Sequence, residues 1–185
     1  LALYGPAEVP ARKGPRRAVF EAYNLQLRSS ADERSSALTT DGSKEYSWSL
    51  HPFSWSPQDD LLLVTRNDWR KVHFMPVVHW LQPNREEVSY SLYPYTGGNM
   101  ERTELYVIDV QSSARTRIDT GSEPDQQIWP LGWRMGGAEV VFMRADRLLK
   151  RLDLMAADVK TGRSRVLLTE RQDTFVEGVT LSPQV

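Results

Sequence analysis

Short apolar runs separated by polar turns recur along the chain. Residues 55–68 and 133–146 match without a gap, because each segment begins with a tryptophan, passes through a turn and a four-residue apolar run, and ends in Arg-x-Asp. A second pattern, an apolar strand followed by a polar turn and another strand, occurs at residues 24–39, 105–120 and 154–169. Together the two patterns predict a repeated unit of four β-strands.

The spacing of the repeats indicates the architecture. A self-similar unit of four strands and roughly 40 to 45 residues is typical of a β-propeller blade, which buries its faces against neighbouring blades. Trp133 and Leu181 are 48 residues apart, about one blade, whereas Trp55 and Trp133 are 78 apart, a blade plus an insertion of about 30 residues. We therefore predict an all-β fold, a partial β-propeller of four-stranded antiparallel blades with a long insertion.

The repeats divide the chain within one propeller domain. We predict the end of one blade with a leading loop in residues 1–50, a blade in 51–126 with its insertion at about 69–100, a blade in 127–174, and the start of the next blade in 175–185. Propellers close their ring with about four to eight blades. We therefore expect the chain to be a fragment of a longer protein, whose unpaired blade edges favour homo-oligomers.

Composition argues against several classes of partner. The 23 basic and 24 acidic residues leave a net charge of −1, so no overall field attracts nucleic acid or an anionic membrane. No apolar run approaches the ~20 residues that span a bilayer. The chain has no cysteine, which excludes disulfides and thiolate metal sites. The basic residues within segment 12–17 predict a solvated loop rather than a nucleic-acid arm.

The sequence motifs of common catalytic sites are missing. There is no Gly-x-Ser-x-Gly elbow, phosphate loop, dinucleotide fingerprint or His-Glu-x-x-His helix. Metal ligation needs a third donor that the spacing of His51, His73 and His79 does not supply, so structural histidines are favoured. We interpret Glu86 and Glu87 as charged residues of a solvent-exposed loop. We predict no catalytic residue, no cofactor and no metal, and we assign the recurring tryptophans to packing between blades.

Five short motifs follow one another in a fixed order. They are Ser-Trp-Ser-Pro at 54–57, Tyr-Pro at 93–94 with Gly-Gly-Asn at 97–99, Leu-Tyr-Val-Ile-Asp at 105–109, Arg147 with Leu-Asp-Leu at 152–154, and the segment 158–170. Each motif alone is common, but their order and spacing resemble the N-terminal β-propeller of the dipeptidyl peptidase IV family of serine peptidases. The resemblance covers residues 38–178.

This resemblance implies a fold, an activity and partners. The family's members are post-proline exopeptidases in which the propeller caps a C-terminal α/β-hydrolase domain and narrows access to its catalytic triad. The resemblance implies that this chain is a non-catalytic, substrate-gating segment of a bacterial enzyme that is periplasmic or secreted. Its partners would be the hydrolase domain, the remaining blades and a peptide substrate.

One residue carries an implied binding role. The family places a pair of glutamates about ten residues before the tryptophan of Ser-Trp-Ser-Pro, and this pair binds the free N-terminal ammonium of the peptide. Ten residues before Trp55 stands Glu45, which the resemblance makes a substrate-binding residue, but the position before it is Lys44. Glu45 could instead hold its own loop.

A second function class stays open. A propeller that binds or scaffolds other proteins, with no peptidase attached, needs only the repeats. A Gly-x-Ser-x-Gly motif encoded downstream of Val185, followed by an aspartate and a histidine, would distinguish the peptidase from this alternative.

Overall fold

The computed structural model describes residues 5–31, 34–79, 81 and 87–176. Within these residues the chain forms β-strands and connecting turns, with one short 3-10 turn at Met135–Gly137 and no α-helix. The strands form three four-stranded antiparallel sheets and one two-stranded hairpin. The predicted all-β fold built from four-stranded antiparallel units is confirmed.

The three large sheets follow one another along the chain. Sheet I contains β1 (Glu8–Pro10), β2 (Arg16–Glu21), β3 (Asn24–Ser29) and β4 (Ser35–Ala37). Sheet II contains, in spatial order, β5 (Tyr46–Ser49), β6 (Leu61–Asp68), β9 (Arg102–Asp109) and β10 (Arg115–Arg117). Sheet III contains β11 (Gln126–Arg134), β12 (Glu139–Asp146), β13 (Arg151–Asp158) and β14 (Ser164–Arg171). Between β6 and β9 the chain forms a hairpin, here called the arm, of β7 (Phe74–His79) and β8 (Glu87–Leu92).

The sheets begin and end at positions that differ from the predicted blade boundaries. Residues 8–37 form a four-stranded sheet, where the sequence predicted only the end of a blade. Sheet II begins at Tyr46, ahead of the predicted boundary at residue 51, because the prediction took Trp55 to mark a strand. Trp55 forms only an isolated bridge with Leu62, in the connection between β5 and β6. The repeat position at Leu181 lies outside the described residues.

Strand β6 is buried on both faces. Alternate side chains of a strand point to opposite sides, so Leu62 and Val64 enter the core between sheets I and II while Leu63 enters the core between sheets II and III. All three side chains are fully buried. Burial of each side chain stabilises the fold by about 1.5 to 3 kcal/mol. Because both faces of the strand are buried, its sequence is a continuous apolar run rather than an alternation of apolar and polar residues.

The recurring tryptophans join one sheet to the next. The indole N–H of Trp55 donates to the carbonyl oxygen of Val9 in sheet I at 2.9 Å. The indole N–H of Trp133, in sheet III, donates to the carbonyl oxygen of Phe53 in the β5–β6 connection at 3.0 Å. The same residue type thus makes the same kind of bond at both junctions, which confirms the packing role predicted from the repeat.

The arm carries an uncovered apolar face. Residues paired across β7 and β8 share a face, and the pairs Phe74 with Leu92, Pro76 with Tyr90, and Val78 with Val88 place six apolar side chains together. Tyr90 is 68% exposed and Val78 52%. A lone two-stranded hairpin is only marginally stable in water, so this face is suited to a contact with another surface.

Candidate functional site

Glu45 lies in a tight turn immediately before β5. Ser43 and Tyr46 exchange two backbone hydrogen bonds across this turn, with N···O distances of 3.0 and 3.1 Å. The Glu45 carbonyl accepts the backbone N–H of Trp69 at 2.7 Å, which ties the turn to the end of β6. The Glu45 side chain is partly exposed and makes no hydrogen bond or ion pair with any described residue. Its carboxylate is therefore available to a ligand, next to the exposed Lys44.

A buried arginine packs against the residue that follows Glu45. The Cζ atom of Arg66 lies 3.5 Å from the ring centroid of Tyr46 and 4.9 Å from that of Trp48. Arg66 is only 7% exposed. Its Nη1 donates to Oδ2 of Asp41 at 2.9 Å and its Nη2 donates to the Asp41 carbonyl oxygen. These contacts fix β5 and the loop before it against β6.

Asp41 collects several donors at this place. Its Oδ1 accepts the indole N–H of Trp48 at 3.2 Å and Nη1 of Arg115 at 3.0 Å. Desolvation acts to raise the pKa of Asp41, but the Trp48 hydrogen bond and the charges of Arg66 and Arg115 outweigh it and hold the pKa below its ordinary value. Asp41 thus stays ionised and links the loop after sheet I to β5, β6 and β10.

Tyr46 is held from its other end by Glu104 on β9. The Tyr46 hydroxyl donates to Oε2 of Glu104 at 2.7 Å. Burial, this hydrogen bond and the charge of Glu104 raise the pKa of Tyr46 to about 12. Arg70 lies 4.2 Å from the Tyr46 ring centroid and donates two side-chain hydrogen bonds to Asp68, at 2.8 and 2.7 Å. The turn that carries Glu45 therefore adjoins side chains fixed by charged hydrogen bonds.

His51 is a structural residue. Its Nε2 lies 3.1 Å from the hydroxyl oxygen of Thr65, and its ring stacks on Phe53 with centroids 5.4 Å apart. Burial lowers the pKa of His51 to about 4. The imidazole is therefore neutral at pH 7.

The other sequence candidates do not come together as a site. The His73 ring meets an aromatic ring at a centroid distance of 6.5 Å, and Nε2 of His79 lies 3.1 Å from the hydroxyl oxygen of Ser89 on the arm. Among the described residues, no three histidine, aspartate or glutamate side chains are grouped as a metal would require. Glu86 and the side chain of Glu87 lie outside the described residues.

A repeated pattern in the sequence could have predicted the charged contacts around Arg66. The Arg-x-Asp ending of the tryptophan repeat places Arg66 and Arg144 at equivalent positions. Arg144 also pairs with a buried carboxylate, because its Nη2 lies 2.7 Å from Oδ2 of Asp153. An arginine that recurs at the end of a buried strand predicts a nearby carboxylate, although not that Asp41 supplies it from another part of the chain.

Comparison with known proteins agrees with this architecture. Residues 11–184 match the sequence model of the dipeptidyl peptidase IV (DPP IV) N-terminal region. The chain belongs to this family. The resemblance predicted from the five motifs is thereby confirmed.

Solved structures of family members share the fold. Dipeptidyl peptidase 4 of Porphyromonas gingivalis matches with a TM-score of 0.79 at 16% identity, over 91% of this chain and 26% of that protein. A Bacteroides ovatus protein described as a dipeptidyl aminopeptidase IV matches with a TM-score of 0.65 at 15% identity, over 89% of this chain and 29% of that protein. The chain is thus a partial β-propeller that spans less than a third of either relative. Its described residues include no helix that is long and apolar enough to cross a bilayer.

Proposed function

We propose that this chain is a non-catalytic propeller segment that gates substrate access in a dipeptidyl peptidase IV-like serine exopeptidase. The cleavage after proline would take place in a C-terminal α/β-hydrolase domain of the full-length protein. Within the propeller, Glu45 would bind the free N-terminal ammonium of the peptide. The observation that carries this role is a partly exposed Glu45 carboxylate without a described partner, in a turn whose backbone is fixed to β6.

The chemistry of Glu45 suits an ammonium. A carboxylate accepts short, charge-assisted hydrogen bonds from an ammonium group, and these are about twice as strong as neutral ones. Lys44 stands where the family has its first glutamate, so Glu45 would act as a single carboxylate rather than as half of a pair. We expect weaker selection for a free N-terminus than a carboxylate pair would give.

Replacement of Glu45 in the full-length protein tests this proposal. We expect Glu45→Gln to lower kcat/KM for peptides with a free N-terminus. The decrease should correspond to a loss of about 2 kcal/mol in transition-state stabilisation, the scale of a lost charged hydrogen bond. Peptides with a blocked N-terminus should be barely affected. Glu170→Gln, at an exposed glutamate on β14, is the matched control. An equal loss for free and blocked peptides would show that Glu45 holds its loop instead.

The exposed apolar face of the arm favours the alternative, a propeller that binds or scaffolds other proteins without a peptidase. The arm also supports homo-oligomer formation, since a second copy presents the same uncharged face. Sequencing downstream of Val185 distinguishes the two functions, because the peptidase requires Gly-x-Ser-x-Gly followed by an aspartate and a histidine.

We also propose a periplasmic or secreted location, which rests on the family resemblance. Fractionation of cells that express the full-length protein with a C-terminal epitope tag tests the location. Recovery of the tag in the cytosolic fraction alone would contradict it.

A further inference from the structure

A pocket with uncommitted positive charge lies beside the Glu45 turn. It is a cavity of about 270 Å³ at one end of sheet II. Its charged wall comprises Arg70, Lys71 and Arg102, and its apolar wall includes Met100 and Pro124.

The carboxylates of this pocket are already engaged. Asp68 accepts two hydrogen bonds from the Arg70 side chain, and Asp125 pairs with Arg147 at 3.2 Å. Lys71 and Arg102 are exposed, and neither side chain makes an ion pair or hydrogen bond within the described ranges, although the charge of Arg102 helps to lower the pKa of Asp68. Two cations therefore remain for a ligand anion.

Another cleft shows the contrast. A larger cavity of about 470 Å³ next to sheet III is lined by Arg144 and Arg151. Both arginines donate to Asp153, at 2.7 and 3.0 Å, and this carboxylate is almost fully buried. Those two arginines are paired with a buried carboxylate, whereas Lys71 and Arg102 of the smaller pocket form no such pair within the described ranges.

The walls of the smaller pocket are fixed by hydrogen bonds. The Asn99 side-chain amide donates to the Lys71 carbonyl oxygen at 3.0 Å. Arg147, on the connection between β12 and β13, donates to the carbonyl oxygens of Gly98 and Tyr95 at 2.5 and 3.0 Å while it pairs with Asp125. One side chain thus joins the exit of the insertion to the segment that leads into sheet III, and the pocket keeps its shape without a ligand.

The pocket and Glu45 lie at the same end of sheet II. Tyr46, Asp68 and Arg102 are aligned across β5, β6 and β9. The near wall of the pocket, at Asp68, lies only one strand spacing of about 5 Å from Tyr46, whereas Arg102 lies two spacings away. A peptide held by its ammonium at Glu45 can therefore direct the side chain of its first residue into the near side of the pocket, towards the long side chains of Lys71 and Arg102.

We propose that this pocket binds the side-chain carboxylate of an acidic N-terminal residue of the peptide. The ligand assignment rests on the proposed function, since it takes the ligand to be a peptide whose ammonium lies at Glu45. Arg102 and Lys71 bind the carboxylate and Arg70 adds positive potential, while Met100 contacts the aliphatic stem of the acid. The propeller then selects Asp-Pro or Glu-Pro ends over neutral ones.

Four short peptides test the pocket and the ammonium site separately on this chain. They are Asp-Pro-Ala amide and Asn-Pro-Ala amide, each with a free and with an acetylated N-terminus. Amide chemical shifts of Trp69, Lys71 and Asn99 in the 15N-labelled chain report binding. We expect the Asp peptide to bind about fivefold more tightly than the Asn peptide, the scale of one exposed charge contact, and to lose this advantage at high salt.

Charge removal locates the effect. Arg102→Gln and Lys71→Gln should each remove most of the Asp preference, whereas Lys150→Gln, at an exposed lysine outside the pocket, should keep it. Equal affinity of the Asp and Asn peptides, or a preference that survives both pocket variants, overturns the proposal. Absence of binding by every peptide overturns it as well.

The remaining results separate the pocket from the proposed function. If the free and acetylated forms of the Asp peptide bind equally tightly and both keep the preference over the Asn peptide, the pocket is supported and the ammonium site at Glu45 is contradicted. An acetylation effect without an Asp preference supports Glu45 and overturns the pocket. If Asn-Pro-Ala with a free C-terminal carboxylate binds as tightly as Asp-Pro-Ala amide, the pocket takes a peptide C-terminus, and the side-chain assignment is wrong.

Discussion

Two arginines at equivalent positions of the repeat each form an ion pair with a carboxylate inside the fold. Arg66 stacks on Tyr46 and pairs with Asp41, which comes from the loop between sheets I and II. Arg144 pairs with Asp153 on the adjacent strand β13. Removal of one partner of a buried pair leaves an uncompensated charge and is strongly destabilising. Both copies of the repeat thus pair the arginine with a carboxylate, which comes from a different place in each sheet.

At the same scale, His51 gives the folded chain a predictable response to acid. Burial lowers the pKa of His51 from 6.5 to about 4. Between these pH values the unfolded chain binds a proton at His51 that the folded chain does not bind, so stability falls as the pH falls through this window. The full shift corresponds to about 3 kcal/mol.

Urea unfolding at a series of pH values from neutral to acid measures this loss. The His51→Gln variant should lose most of the dependence between pH 6.5 and 4, whereas His79→Gln, at an exposed ring, should retain it. If His51→Gln and the unsubstituted chain show the same dependence, burial of His51 is not its cause.

At the scale of elements, the sequence predicted the long apolar strands well and the short polar ones poorly. The continuous apolar run of the tryptophan repeat indicated a strand after Trp55, and the structure places β6 there. Strand β5 was missed because Tyr-Ser-Trp-Ser is short and half polar, and the prediction took Trp55 rather than Trp48 as its marker. Burial of Ser47 depends on tertiary packing that no local pattern shows.

The candidate site was predictable only in part, for the same reason. Family spacing located Glu45 ahead of Trp55, and the structure places it in a turn before β5. The neighbouring cluster depends on contacts between distant residues, since Arg115 lies 74 positions from Asp41. The pocket at Arg102 likewise forms where three separate segments of the chain meet, at 68–71, 99–102 and 124–125, so its charges cannot be assigned to one place from their order in the chain.

The loop between β4 and β5 tolerates little change where it passes the β2–β3 turn. A Cβ atom at Gly42 would lie 2.0 Å from the carbonyl oxygen of Tyr23. The Gly42 N–H also donates to the Asn24 side chain at 2.8 Å. We expect Gly42→Ala to lower the free energy of unfolding by about 2 kcal/mol, in the range of other overpacked sites.

Urea unfolding of Gly42→Ala beside Ser43→Ala checks this expectation. Ser43 is the exposed neighbour and should change stability by about 0.5 kcal/mol or less. A Gly42→Ala variant as stable as Ser43→Ala would show that the loop can move away from Tyr23.

At the scale of the whole molecule, an edge strand and the arm expose apolar side chains in the described part of the chain. Strand β14 is an edge strand of sheet III, and its Val166, Leu167 and Leu168 are 45%, 40% and 64% exposed. The arm adds a second apolar face. Unpaired edges and apolar faces recruit other chains, so we expect this chain to self-associate as its concentration rises.

Light scattering after size-exclusion chromatography measures the association, and two variants locate it. Leu168→Lys should weaken contacts through β14, and Tyr90→Lys should weaken contacts through the arm. A compact monomer at every concentration would contradict the prediction, and association unchanged in both variants would place the contact elsewhere.

The proposed non-catalytic role predicts that the isolated chain does not hydrolyse Xaa-Pro chromogenic substrates. The His79 ring and the Ser89 hydroxyl, whose Nε2 and Oγ atoms are 3.1 Å apart, lie exposed on the arm. A serine nucleophile needs an orienting group behind the base and preorganised donors for the oxyanion, and these donors alone are worth about 10² to 10³ in rate. Release of chromophore by the purified chain checks the prediction, with Ser89→Ala as a matched variant. Turnover that survives purification and is blocked by a serine-directed inhibitor would contradict it, and loss of that turnover in Ser89→Ala would identify the nucleophile.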